Sequence, residues 1–382
     1  MTIDANNKLA DWVSKLVQIP SITPSQAGGK LEWSGESVIA RQTAGWFEAF
    51  GGEVYLEEVA ENRPNVYGIW RGQTDKWVAV DIHLDTVGVE QMTIPPFEGK
   101  ITNDRVYGRG AADTKATLGV MLSILEEIYA NHLKLIPNLL VTGTADEEVD
   151  GLGAPAFAKW VRKRKITLDE LLVAEPTLCH PVYGHKGEIR MTFTVHGKSA
   201  HSSKPHLGEN AVVAAAKLVL ELDRENTKLQ KETADSLLGP ATLATTVVDG
   251  GTGLNVIPDF CNVSIDRRTL PGECMDEIVQ DLTQKANNGC PLRVSTKVLS
   301  AIDAFYQPKH TPLIEKLAGW SELEPDTVSF GTNAWAYKDL ARECVVIGPG
   351  SIEQAHGQEE WISILELQKM HSILKRWLGL SV

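Results

Sequence analysis

Five short tracts of this chain set residues that can bind a cation or move a proton beside apolar runs. In VDIHLDT, His83 and Asp85 stand two positions apart, so both side chains leave one face of a strand at its carboxyl end, where α/β sheets hold ligands. Alone, the pair also reads as a hydrogen-bonded structural histidine; a metal-bound imidazole, however, needs a carboxylate behind it to fix its tautomer. In RVYGRGAADTKATLGVML, Gly108 and Gly110 precede Asp113 at the start of an apolar-periodic helix. The third glycine of a dinucleotide fingerprint and the Gly-Lys-Ser/Thr ending of a phosphate loop are missing, and a carboxylate stands where phosphate would sit. Both nucleotide motifs are rejected, and the competing reading of Asp113 is a helix N-cap.

The tract 144–150 runs from an apolar strand into Asp146, Glu147, Glu148 and Asp150. Such a run is often a solvated loop, yet at a strand end it repels itself unless a cation compensates, and adjacent glutamates can divide metal binding from proton transfer. LLVAEPT puts Glu175 at a third strand edge, and GPGSIEQAHG sets His356 in a glycine-rich turn after CVVIGP; alone, these read as an ordinary carboxylate and a surface histidine. Together the residues are a mixed imidazole and carboxylate set without cysteine, which suits zinc first, with cobalt or manganese as alternatives. Five ligand candidates exceed one tetrahedral site, and a bridging carboxylate would divide them into two three-ligand sites, the arrangement of a two-metal hydrolase.

The elements that must position these residues follow from periodicity. Leu9, Trp12, Val13, Leu16 and Val17 share one helical face that Pro20 closes, and Ile39, Thr43, Trp46, Phe47 and Phe50 share another. Apolar strands are expected at 77–84, 139–142, 171–174 and 344–347, between helices marked by Leu118, Met121, Leu122 and Leu125 and by Leu367, Met370, Leu374 and Trp377. The outer parts of the chain therefore predict an α/β domain. In the middle, Ile189, Met191, Phe193 and Val195 alternate with polar residues, as in a sheet with one wet face. The expected order is strand 189–196, helix 209–222, strands 242–248 and 259–266, helix 273–287 and strand 292–298, a ferredoxin-like βαββαβ unit. The domains are thus placed at 1–186 with 300–382, and at 187–299 as an insertion.

Composition narrows the partners. The 382 residues carry 50 acidic and 37 basic side chains, a net charge of -13, with 43% hydrophobic and 23% charged residues. A chain short of cations is not a nucleic-acid or anionic-membrane binder, and its apolar content suits a folded core. No stretch approaches the ~18 apolar residues of a membrane span. The first twenty residues show no signal-peptide pattern, and five scattered cysteines without a Cys-x-x-Cys pair read as reduced thiols, so a cytoplasmic protein is expected.

The tracts HLDT, GRGAADTKA, ADEEVDG, AEPT, HGKSAHSS, GGTGLNVIPD with SIDRR, and GPGSIEQAH, in this order, resemble the M20 family of metallopeptidases and deacylases over nearly the whole chain. The resemblance implies a zinc-exopeptidase-like α/β catalytic domain with an inserted α+β lid and dimerisation domain. It implies two divalent ions, one held by His83, Asp113 and Glu175 and the other by Asp113, Glu148 and His356. It further implies amide hydrolysis with Glu147 as general base and later proton donor to the leaving amine, and with Asp85 orienting His83. His201 of the lid would donate to the tetrahedral oxyanion from the other subunit of a homodimer. Asn255 and Arg268 match lid positions that contact substrate; Arg268 could grip an α-carboxylate, although Asp266 could pair with it structurally.

AEPT followed by GHKGE, SAHSS and GPGSIEQAH is similar to the N-acetylornithine deacetylase branch, which implies release of acetate from N2-acetyl-L-ornithine in arginine biosynthesis. Asn333 stands where relatives often carry an acidic residue that could read a cationic substrate tail, which keeps N-acetylcitrulline, N-succinyl-diaminopimelate and carboxypeptidase substrates open. A non-catalytic binding or regulatory protein on the same fold is the alternative from another class, and the presence of Glu147 argues against it.

Overall fold

The computed structural model describes residues 5–234 and 236–381. The chain divides into two compact units, one of residues 1–183, 307–326 and 332–382, the other of 184–306 and 327–331. The chain thus crosses at 183/184 and 306/307, where the sequence suggests 186/187 and 299/300, and the short return at 327–331 has no sequence signal.

In the first unit four parallel strands lie side by side in the order Asn138–Thr144, Trp77–His83, Leu168–Val173 and Ala341–Val346. The hairpin Glu53–Ala60 and Arg63–Trp70, which the periodicity leaves unassigned, extends one edge antiparallel to Asn138–Thr144. Its outer strand is nowhere buried, so it lacks the continuous apolar run that marks the inner ones. Because the four inner strands are parallel, their carboxyl ends share one edge. His83 stands opposite Thr144, and Asp81 and Val346 each stand opposite Val173, which sets the candidate ligands at neighbouring strand ends.

Alternate strand residues feed two helical layers. Val78, Val80 and Ile82 join a core with the helices Ala5–Val17, Lys115–Ala130 and Ile364–Trp377. The middle helix is buried over nearly its whole circumference, as a helix packed between a sheet and two other helices must be. On the opposite face, helix Gly153–Lys163 brings Phe157 and Trp160 against Tyr67, with Tyr337 edge-on to Phe157.

The second unit has the order strand Gly187–His196, helix Ala211–Glu232, strands Thr242–Gly250 and Phe260–Thr269, helix Met275–Gly289 and strand Arg293–Ile302. This is the βαββαβ order, and the antiparallel sheet runs Thr242–Gly250, Phe260–Thr269, Gly187–His196, Arg293–Ile302. Ile189, Met191, Phe193 and Val195 face a core built with Ala214, Leu218, Leu222 and Leu282. The first helix, begun by an Asn210 side chain that accepts the Val213 N–H, runs ten residues past its expected end. Its last turns are polar apart from Leu229, which packs on the core, so apolar periodicity alone stops short. The chain is a mixed α/β protein with an inserted α+β unit.

Candidate metal centre

The strand Trp77–His83 delivers His83 into the sheet edge with its ring buried. Nδ1 lies 3.1 Å from the carbonyl oxygen of Asp85, an acceptor only, so Nδ1 carries a proton, and Nε2 stands 2.9 Å from Asp113. Asp113 does not cap the following helix. Thr114 occupies the N-cap position, and its hydroxyl donates to the carbonyl oxygen of His83, tying the two ligand segments together. The Asp113 carboxylate is divided: Oδ1 faces His83, and Oδ2 is 3.3 Å from Nε2 of His356. That same Nε2 is 3.0 Å from Oε2 of Glu148.

Glu175 follows the strand Leu168–Val173 and is buried, with Oε1 lacking any partner. Its backbone lies against Gly348, where an added Cβ would come within 2.4 Å of the Glu175 carbonyl oxygen, so only glycine lets the two strand ends approach. Ligand atoms of His83, Asp113 and Glu175 lie within 4.8 Å of one another, as do those of Asp113, Glu148 and His356. Asp113 is common to both groups. The first is wholly buried and the second opens outward through the exposed His356.

The protonation equilibria describe a cluster short of positive charge. Burial raises Glu175 well above the usual carboxylate range, and the nearby Glu147 and Asp113 add to the rise. Burial likewise raises Glu147, reinforced by Glu148 and Asp113, and raises Glu148, reinforced by Asp113. For His83 and His356, burial acts downward but is outweighed by hydrogen bonds to carboxylates, Asp113 among them, and His356 is lifted to about 10. Asp113 alone falls, since its bonds to the two imidazoles overcome its burial. Protons thus gather where cations would otherwise compensate the charge. The orphaned Glu175 oxygen, the divided Asp113 carboxylate and the imidazole, carboxylate donor set fit two borderline divalent cations.

Around the cluster the structure places the remaining expected residues. Asp85 acts on His83 through its carbonyl, while its carboxylate, 3.7 Å from the ring, accepts the N–H groups of Glu147 and Glu148. The Glu147 carboxylate has no hydrogen-bond partner among the described residues and interacts through space with His83, Glu148 and Asp113. Asn333 is tied into the sheet by its amide. It is buried, and its amide donates to Oδ2 of Asp81 at 3.0 Å and to Oγ1 of Thr144 at 3.1 Å, beside the Tyr337 hydroxyl that also donates to Asp81. Its two N–H donors cross-link two strands, and its amide oxygen has no hydrogen-bond partner among the described residues.

In the second unit, His201 and Asn255 come together. The ribbon Ala200–His201 pairs with Val256–Ile257, and the Asn255 carbonyl accepts the Ser202 N–H. Nδ1 of His201 accepts the Ser203 N–H at 3.1 Å, which leaves the proton of the neutral ring on an exposed Nε2. Arg268 is engaged within its own sheet. Its guanidinium forks onto Asp266 and reaches Glu188 at 3.1 Å, and Arg190 pairs with the same two carboxylates. The pairing with Asp266 is the structural role that the sequence leaves open beside a grip on a substrate carboxylate.

Three supports escape motif reading. The buried Glu360 accepts the N–H groups of Gly110, Ala112 and Asp113 as well as a guanidinium N–H of Arg109. The buried Arg63 pairs with Glu36 and Asp146. Asp81 gathers Thr144, Asn333 and Tyr337. A buried charge needs a partner, so an acid at 360 or an arginine opening an otherwise apolar strand at 63 is the signal that could have revealed the first two.

Comparisons with known proteins show the family. Residues 183–294 match the peptidase dimerisation domain of the M20 class, and residues 65–173 match the model of peptidase family M28. The acetylornithine deacetylase of Aliivibrio fischeri is 30% identical over 376 residues, covering 96% of this chain and 96% of its own. The chain belongs to the M20 family of metallopeptidases and deacylases, and is a hydrolase. Within that family its similarity runs to proteins named acetylornithine deacetylase, while its fold is shared more widely. An M20 family metallo-carboxypeptidase of Sulfolobus solfataricus superimposes with a TM-score of 0.80 at 18% identity, covering 99% of each chain. A dinuclear metal-binding M20 peptidase of Bacillus subtilis does so with a TM-score of 0.63 at 15% identity, again over 99% of each chain.

Proposed function

We propose that this chain is a two-metal amidohydrolase that releases acetate from N2-acetyl-L-ornithine, a step of arginine biosynthesis. The observation that carries the reaction class is the pair of three-residue ligand groups sharing Asp113, with the Glu147 carboxylate close enough to feel the charges of His83, Glu148 and Asp113. The substrate rests on the full-length similarity to acetylornithine deacetylases. His83, Asp113 and Glu175 would hold one ion and Asp113, Glu148 and His356 the other, zinc first and cobalt or manganese as alternatives. Such ions supply Lewis acidity, lowering the pKa of water and polarising the acyl carbonyl.

Glu147 takes the proton of the attacking water on its carboxylate and returns it to the leaving amine nitrogen. Asp85 keeps His83 in the Nδ1–H tautomer and holds the peptide groups of Glu147 and Glu148. His201 offers Nε2–H to the oxyanion with Asn255 beside it, from the partner protomer of a homodimer formed through the region that matches the dimerisation domain. No helix among the described residues is long and apolar enough to cross a membrane, and all five cysteines are unpaired; a cytoplasmic location is part of the proposal.

The test is a parallel assay of N2-acetyl-L-ornithine, N-acetylcitrulline and N-succinyl-diaminopimelate with added zinc or cobalt. Acetate release should be fastest from acetylornithine. Cleavage of only a succinyl or dipeptide substrate would overturn the assignment and leave the family intact.

A further inference from the structure

Three consecutive peptide N–H groups, those of Asp146, Glu147 and Glu148, are each accepted by a carboxylate: Glu36 takes the first at 3.0 Å, and Asp85 takes the other two at 3.0 and 3.1 Å. The Asp146 side chain takes a fourth, from Leu152 at 3.3 Å, in a turn where Asp146 itself has a φ of 66°. Three buried acids therefore shape the turn that carries a proton-transfer residue and a ligand. Acids packed so closely repel one another unless a cation lies between them.

That cation is Arg63. Its Nε and Nη2 fork onto the two Glu36 oxygens at 2.9 and 2.6 Å, Nη1 pairs with Asp146, Nη2 also donates to the Thr23 hydroxyl at 3.2 Å, and Nη2 stands 4.0 Å from Asp85. Only a planar guanidinium can serve Glu36 along one edge and Asp146 from its other nitrogen at once; an ammonium is a single point. We infer that Arg63 is a positioning residue for the reaction: without touching the ligand cluster, it sets the turn 146–148 and thereby the placement of Glu147 and Glu148.

The inference deepens the proposed function and rests on it for its kinetic readout only. Arg63→Met and Arg63→Lys should be compared with the wild type for cobalt affinity, the visible spectrum of bound cobalt, thermal melting, and kcat and KM on N2-acetyl-L-ornithine. Arg63→Met should bind cobalt about 10–100-fold more weakly with a changed spectrum, and lose kcat with KM nearly unchanged, the scale seen when groups behind metal ligands are removed. Arg63→Lys should keep the fold and recover part of the affinity, since it restores the charge but not the fork. A wild-type cobalt spectrum, affinity and kcat in both variants would overturn the inference, as would a lowered melting temperature with kcat per metal-loaded molecule unchanged. If the wild type does not cleave acetylornithine, the functional reading fails, while the cobalt measurements still decide the role of Arg63.

Discussion

Replacing Glu360 by glutamine changes one atom in a buried side chain and sets donors against donors. Oε1 accepts the N–H groups of Ala112 and Asp113, and Oε2 accepts that of Gly110 and one from Arg109. A glutamine has a single carbonyl oxygen. Turned toward Gly110 and Arg109, it leaves the Ala112 and Asp113 N–H groups facing an amide NH2; turned the other way, it strands a buried guanidinium, which costs more. The first placement is therefore expected, with two donors unpaired at about 1–3 kcal/mol each, or about 2–6 kcal/mol in total. At about 2–4 °C per kcal/mol for a domain of this size, the melting temperature should fall by roughly 4–24 °C. The misfit lies under the shared ligand, so zinc affinity should fall about 10–100-fold as well. Calorimetric melts and zinc competition with a chromophoric chelator measure both. A variant that melts within about 1 °C of the wild type and binds zinc within about twofold would refute the reasoning, because the stated penalties leave no room for it.

Glu147→Gln should lower kcat by about 10²–10⁴-fold while both ions stay bound, checked by steady-state kinetics alongside metal content. Asn333→Asp should set a second carboxylate against Asp81 in place of a 3.0 Å hydrogen bond, so it should destabilise the fold to denaturant while the KM of properly folded enzyme stays near wild type; a selective change of KM among substrate tails would restore Asn333 to specificity. Chelating the metals should lower the melting temperature, since free ion at about 100 times its Kd stabilises by about 2.7 kcal/mol per site, and the loss should reverse on adding zinc.

Strand ends were the legible part of this chain. The apolar run into His83, the acid cluster after Thr144 and the Glu-Pro stop at Glu175 each state locally where a parallel strand ends, and parallel strands deliver their ends to one edge whatever the loop lengths between them. The inserted unit was legible because its strands alternate cleanly between a core and a wet face. What the sequence hides depends on distant partners. Arg63 meets residues 27 and 83 positions away, and Glu360 meets Arg109 across 251. The Asn333 contact is hidden for a related reason: the resemblance marks only that relatives often carry an acid at this position, while the residue its amide serves, Asp81, lies 252 positions away. Arg268 carried a warning in its own sequence, since Asp266 shares its strand face two residues away.

The central claim is a pair of cation sites joined by Asp113, and its most direct test is titration of metal-free protein with zinc or cobalt by calorimetry. Two equivalents per chain should bind, one should be lost in Glu175→Ala and one in His356→Ala, and Asp113→Ala should weaken both. A single equivalent in the wild type, or an Asp113→Ala variant that still binds two with wild-type affinity, would contradict it.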